Sequence, residues 1–140
     1  MANRFARLLV CLCASLLIVA CGIDKNLAAA DTAVARFHHQ LDTQEYSAIY
    51  AQADQKLRDA TKQDDFVALM TAVHRKLGQY GSASRQGFFV NYNTSGAQIR
   101  VSYATKFGEA DAQEQFVWVK NGNNLALLTY NINSNALITK

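Results

Sequence analysis

Three histidines, His38, His39 and His74, are the side chains best suited to metal binding or proton transfer. Adjacent histidines point to different sides of a helix, so His38 and His39 cannot hold one metal ion together, whereas ligands one turn apart could. His38 and His74 each border a predicted apolar helix face. Two interpretations are open for them: half-buried, hydrogen-bonded histidines, which we favour, or a functional pair where the two helices pack. We predict no metal site.

Among the carboxylates, Glu114 is the one whose place in a predicted strand matters most for chemistry. Asp64 and Asp65 begin a predicted helix, where negative charge suits the positive end of the helix dipole. Glu114 alternates onto the same strand face as Phe116 and Trp118. If that face is interior, Glu114 is a buried acid of the kind that functional sites use. The sequence favours the alternative, a solvated carboxylate.

Established catalytic and cofactor-binding motifs do not occur in the sequence. It has no GxSxG, HExxH or CxxC motif, no glycine-rich phosphate loop and no EF-hand spacing. We therefore expect no cofactor and no enzymatic activity. The least favoured alternative is an isomerase-type reaction, in which Glu114 or His38 would exchange a proton with the substrate opposite Tyr103.

The helices and strands that position these residues can be predicted from the spacing of apolar residues, which changes from helical to alternating near the middle of the chain. Apolar residues at helical spacing predict helices over 23–41, 46–57 and 61–77, and alternating residues predict strands over 88–92, 98–107, 115–120 and 125–132. Asn121 and Gly122 form a strong hairpin signal. The connections are too short for parallel pairing. We predict one α+β domain over 21–140, with three helices packed on a curved four-stranded antiparallel sheet.

Two stretches resemble the nuclear-transport-factor-2-like and cystatin-like folds: FVALMTAVHRKLG at 66–78 and the strand pattern Y.T.F......E.F.W.K.G......TYNI at 103–132. The resemblance implies helices in the concave face of a curved sheet, often with a pocket between them. Aromatic residues with a few hydroxyls would suit a small apolar ligand there. Ordinary core is the alternative for these side chains. The pocket residues predicted in this way are Phe88, Tyr92, Tyr103, Phe107, Trp118 and Tyr130.

The first twenty residues predict a helical signal peptide. Arg4 and Arg7 precede an apolar run at 8–19, which is shorter than the roughly 20 residues of a membrane-spanning helix. Ile18-Val19-Ala20-Cys21 resembles the lipobox of bacterial lipoproteins, which implies cleavage before Cys21 and acylation of its thiol. Gly22 in place of aspartate implies the outer membrane, with the domain facing the periplasm of the bacterial cell envelope.

Charge and composition limit the kinds of partner expected for the 120 residues that follow the predicted cleavage site. Twelve Lys and Arg face eleven Asp and Glu without a basic run, so we expect no nucleic acid. The membrane, reached through acylated Cys21, and an envelope protein are the expected partners. We predict a non-catalytic protein-binding or assembly module; the alternative is a small-molecule-binding module with an aromatic pocket between helices and sheet.

Overall fold

The computed structural model describes residues 22, 24–93 and 96–139, so the predicted signal peptide (1–20) and Cys21 lie outside the described residues. Helix α1 covers 24–42. The remaining elements are α2 (Tyr46–Gln52), α3 (Gln55–Ala60), α4 (Gln63–Leu77), β1 (Tyr80–Asn93), β2 (Gly96–Phe107), β3 (Asp111–Asn121), β4 (Asn124–Asn133) and α5 (Asn135–Thr139). None of the described helices is both long enough and apolar enough to cross a bilayer.

The four strands form one antiparallel sheet in the order β1-β2-β3-β4. This confirms the predicted α+β class, with helices preceding a four-stranded meander. Strands β2 and β3 occupy the centre, where Tyr103 of β2 pairs with Glu114 of β3 and Glu114 pairs with Ile132 of β4. Opposite residues share a sheet face, so these three side chains lie on the same side as the buried Phe116.

Three elements differ from the sequence prediction. The predicted second helix is divided into α2 and α3, because Ala53 is extended and the Asp54 side chain accepts a hydrogen bond from the Lys56 N–H to start a new helix. Strand β1 begins at Tyr80 rather than near residue 88, since its first half is polar and lacks the alternation that marks a strand. The short α5 was not predicted.

Helix α4 and the last hairpin end as the sequence predicts. Asp64 and Asp65 lie in the first turn of α4, which suits the helix dipole. Gly78 ends the helix with φ 80° and ψ −164°, a conformation that essentially only glycine adopts. Gly122 turns the β3–β4 hairpin at φ 62°.

Helix α1 lies on the inner face of the sheet and runs antiparallel to β1. Asn26 contacts Tyr92 near one end of β1, and twelve residues later His38 stacks on Tyr80 at the other end. Between them, Phe37 packs edge-on against Phe116 of β3, with 5.1 Å between ring centroids. The helix therefore shares one apolar core with the sheet, and its polar side chains meet those of β1 and β2 along the way.

Candidate functional site

A buried carboxylate joins α1 to three strands. Glu114 of β3 is 2% exposed, and its Oε2 lies 2.8 Å from His38 Nε2. Thr105 of β2 donates its hydroxyl to the same oxygen at 2.5 Å, and Tyr130 of β4 donates to Oε1 at 2.7 Å. The preference for a solvated Glu114 is therefore wrong, because the face that it shares with Phe116 is the interior.

The surroundings of Tyr130 keep its hydroxyl protonated, so that it can donate to Glu114. Burial raises its pKa well above the usual value, and the charge and hydrogen bond of Glu114 raise it further. Two hydroxyl donors and the His38 ring nitrogen thus surround the two carboxyl oxygens, an arrangement that suits a carboxylate, which can accept at every contact. Beside a carboxylate, the contact requires His38 to donate from Nε2, which leaves Nδ1 outside this network.

His38 connects this network to a cleft. Its ring stacks on Tyr80, with 4.1 Å between centroids and 13° between planes, and is 1% exposed. Its Nδ1 is buried and has no hydrogen-bond partner among the described residues. The cleft has a volume of about 300 Å³, at the lower end of the range for small-molecule sites, about 300–1,000 Å³. It is lined by Asp31, Val34, Ala35, His38, Tyr80, Ala83, Arg85 and Tyr103.

Three polar side chains meet at the cleft from α1, β1 and β2. Arg85 Nη1 lies 2.8 Å from both oxygens of Asp31, and the Tyr103 hydroxyl donates to Asp31 Oδ1 at 2.5 Å. Burial raises the pKa of Tyr103, the Asp31 hydrogen bond and charge raise it further, and Arg85 partly opposes them. This wall of the cleft thus carries a fixed ion pair beside a protonated phenol.

The structure does not bring the six predicted pocket aromatics into one site. Tyr103 lines the cleft, while Phe107 is buried edge-on to His38 at 6.2 Å. Trp118 is 3% exposed, stacks on Phe116, and borders a cavity of only about 10 Å³. Tyr130 donates to Glu114. The remaining two, Phe88 and Tyr92, are exposed on β1. The centre of the helix–sheet interface is therefore filled. One cleft lies at its β1 side, and a second, of about 350 Å³ and lined in part by Tyr130, lies between α3, α4 and β4.

The structure does not support the less favoured interpretation, a functional pair of His38 and His74, because His38 contacts Glu114 instead. His74 Nε2 lies 4.0 Å from Asp42 Oδ1, too far for a hydrogen bond. His39 is exposed, as its position on α1 predicts. Within the described ranges, no group of three or more His, Cys, Asp or Glu side chains could hold a metal ion.

Sequence reasoning missed Asp31, Arg85 and Tyr80. Asp31 and Arg85 are 54 positions apart, and each reads as an ordinary surface charge. Tyr80 stands in a polar stretch that lacks the alternation by which a strand is predicted. One available signal was an acidic residue near the apolar stripe of α1, but only the direction of α1 across the sheet shows which cation it meets.

Comparison with known proteins gives a likeness of fold. No protein-family model matches the chain. A search of curated proteins gives no match. Among solved structures, Aln2 from a Streptomyces species is 12% identical with a TM-score of 0.51, covering 80% of this chain and 92% of its own. A protein from Novosphingobium aromaticivorans, provisionally named scytalone dehydratase, is 14% identical with a TM-score of 0.49, covering 80% and 87%.

The prediction of a non-catalytic protein-binding or assembly module is therefore corrected. The described residues share the fold of Aln2, and the structure has a cleft beside the sheet with polar groups converging on it. These findings favour the alternative, a small-molecule-binding module, and leave the expectation of no enzymatic activity without support. The described part of the chain has the nuclear-transport-factor-2-like fold.

Proposed function

We propose that this protein is a small-molecule-binding module whose ligand occupies the cleft between α1 and the β1–β2 strands. The observation that carries the proposal is the convergence of His38, Asp31, Arg85 and Tyr103 on one cleft of about 300 Å³. A few fixed polar groups against an otherwise apolar wall are typical of ligand sites.

The lining indicates the chemical class of the ligand. Arg85 uses Nη1 for Asp31, but a guanidinium carries five N–H donors, so donors remain for a carboxylate or carbonyl oxygen. Val34, Ala35 and Ala83 form a small apolar wall beside it. We therefore expect a small, flat, largely apolar molecule with one anionic or carbonyl end.

The leader sequence supports placing this module on a membrane. Acylation of Cys21 would tether the domain, and more than one acyl chain is needed for stable anchoring. The proposed site of action is the periplasmic face of the bacterial outer membrane. An envelope protein partner is part of the same proposal, and its support is likewise the lipobox-like sequence.

The binding proposal is tested with 2-naphthoate and 2-naphthol as probes. Titration calorimetry on the full chain in nanodiscs, with empty nanodiscs as reference, should show binding of naphthoate and weaker binding of naphthol, because only the former meets Arg85 as an anion. Ala83→Trp fills the cleft and should abolish binding. Ser84→Trp, the neighbouring exposed position that does not line this cleft, should leave it unchanged. Equal naphthoate affinity in both variants would refute the site.

A second function, proton transfer in the same cleft, is favoured by one observation. His38 Nδ1 has no partner among the described residues, although it is buried and Glu114 engages the opposite nitrogen. Such an arrangement sets the imidazole up as a base, with Glu114 fixing its tautomer. His38→Gln should then abolish turnover of any substrate identified while the full chain still binds naphthoate; unchanged turnover would exclude His38 as the base.

A further inference from the structure

The cleft between α3, α4 and β4 lies at the opposite edge of the sheet from the cleft of the proposed function. Its volume is about 350 Å³, within the range of small-molecule sites, about 300–1,000 Å³. We call the two the α3–β4 cleft and the His38 cleft, and they have no lining residue in common. The lining of the α3–β4 cleft includes Lys56, Leu57, Ala60, Phe66, Leu69 and Leu128.

This lining is mostly apolar. Leu57 and Phe66 belong to the buried core, whereas Leu69 of α4 is 47% exposed. An apolar ligand lying over Leu69 would remove that surface from water, which favours binding.

Leu128 joins the lining at a bulge in β4. Trp118 of β3 pairs with Leu127 and Val117 pairs with Thr129, so Leu128 is an extra residue without a partner in the ladder. A bulge bends the strand that carries it and turns a side chain in a new direction, and bulges are common beside functional sites.

Hydrogen bonds around the α3–β4 cleft fix its walls. The Asp54 N–H donates to the Leu127 carbonyl at 2.8 Å, which holds the start of α3 against β4 beside the bulge. The Tyr50 hydroxyl donates to the Thr61 carbonyl at 2.8 Å, and the Tyr50 ring packs against Phe66 with 5.7 Å between centroids. The cleft is therefore formed before a ligand enters, which reduces the ordering cost of binding.

Lys56 gives this lining its charge. Among the described residues that line the α3–β4 cleft, it alone is charged. It is exposed and makes no ion pair within the part of the chain that the structure describes. Its ammonium group has three donors on a flexible side chain, so it can pair with an anion held in the cleft.

We infer that the α3–β4 cleft is a second binding site and that it takes a medium-chain alkyl carboxylate. An alkyl chain suits the lining because Leu57, Ala60, Leu69 and Leu128 are aliphatic. The chain lies against Leu69 and Leu128, and the carboxylate pairs with Lys56. The inference goes beyond the proposed function and does not depend on it, since the two clefts share no lining residue.

Octanoate and its neutral analogue octanamide test the inference. Both are titrated by calorimetry at neutral pH into the full chain in nanodiscs, with empty nanodiscs as reference, and the chain carries Ala83→Trp so that the His38 cleft is closed. We expect one octanoate per chain and weaker binding of octanamide. Ala60→Trp fills the α3–β4 cleft and should abolish binding. Ala68→Trp, at an exposed position of α4 outside the lining, should leave binding unchanged.

Lys56→Gln tests the charge separately from the space. It should weaken octanoate binding about fivefold, as expected for an exposed ion pair, and leave octanamide binding unchanged. Lys62→Gln removes the same charge at an exposed position outside the lining, and it should change neither affinity.

Three results would overturn the inference. The first is octanoate uptake no greater than that of empty nanodiscs, and the second is equal octanoate affinity in Ala60→Trp and Ala68→Trp. The third is equal affinity for octanoate and octanamide with no effect of Lys56→Gln, which would exclude an anionic ligand. Naphthoate binding to the His38 cleft is measured separately, so none of these results bears on the proposed function. If Ala60→Trp shows no cooperative unfolding in urea, the comparison of Lys56→Gln with Lys62→Gln decides.

Discussion

Tyr130→Phe tests the buried carboxylate network directly, because it removes one hydroxyl and keeps the ring. The lost bond is a 2.7 Å contact to Glu114 Oε1. A hydrogen bond to a charged group contributes about 1.5–3 kcal/mol and a neutral one about 0.5–1.5 kcal/mol. We therefore expect Tyr130→Phe to lower the free energy of unfolding by about 1.5–3 kcal/mol if the carboxylate is ionised.

Glu114→Gln keeps the shape of the side chain and makes its hydrogen bonds neutral. One of the two acceptor oxygens becomes an NH₂ donor, so the group facing it must turn to accept, and the bonds to His38, Thr105 and Tyr130 each weaken by about 1 kcal/mol; the variant should lose about 3 kcal/mol of stability. In this background Tyr130→Phe should cost only about 0.5–1.5 kcal/mol. The difference between the two backgrounds, about 1 kcal/mol, is the coupling that a double-mutant cycle measures.

Urea unfolding of the full chain, followed by the fluorescence of the buried Trp118, measures all four free energies. Tyr50→Phe is the control, because the Tyr50 hydroxyl donates to the backbone carbonyls of Arg58 and Thr61. Tyr50→Phe should lower the free energy of unfolding by the same amount with and without Glu114→Gln. Equal costs of Tyr130→Phe in the two backgrounds would refute a charged, shared acceptor at Glu114.

Two further predictions concern pH and the backbone. Burial and Glu114 raise the pKa of Tyr130 above 10.0 in the folded protein. The stability that follows from this raised pKa is therefore fully present below about pH 10. Above it, the free energy of unfolding falls by about 1.4 kcal/mol per pH unit until the folded-state pKa is reached. Tyr130→Phe should remove this part of the decrease in unfolding free energy with pH, as measured by urea titrations at a series of alkaline pH values. The same decrease in the variant and the wild type would contradict the prediction. Gly78→Ala should cost about 3 kcal/mol, because a Cβ there meets Glu109 Cγ at 3.1 Å in a glycine-only conformation. Gly122→Ala, which opens onto free space, should cost only about 1 kcal/mol, and equal losses in thermal unfolding would show that the two turns are not distinguished in this way.

Much of the fold is predictable from local patterns. The apolar stripes of α1 and α4 and the alternation in β2 involve residues only a few positions apart, so they can be recognised in a single sequence. The division between α2 and α3 does not show in the stripe. It depends on Asp54, whose N–H also donates to the carbonyl of Leu127 in β4, a contact with a distant strand that no local pattern encodes.

The site is less predictable, because its residues come from distant parts of the chain. Alternation groups Glu114 with Phe116 but does not say which face is inside. The meeting of Asp31 with Arg85 and Tyr103 depends on the direction of α1 across the sheet, which no short-range pattern encodes. Helical spacing places His38 beside an apolar face, but its partner Glu114 is 76 positions away.

The contacts of Glu114 also constrain how β3 can align with its neighbours. A slip of one residue would turn Glu114 outward and bring Gln113 or Gln115 inward. His38, Thr105 and Tyr130 would then lose the one acceptor that all three share, while an amide took its place in the interior. Misaligned sheets are therefore penalised at a single position, and the carboxylate helps to select the correct strand pairing from its near neighbours.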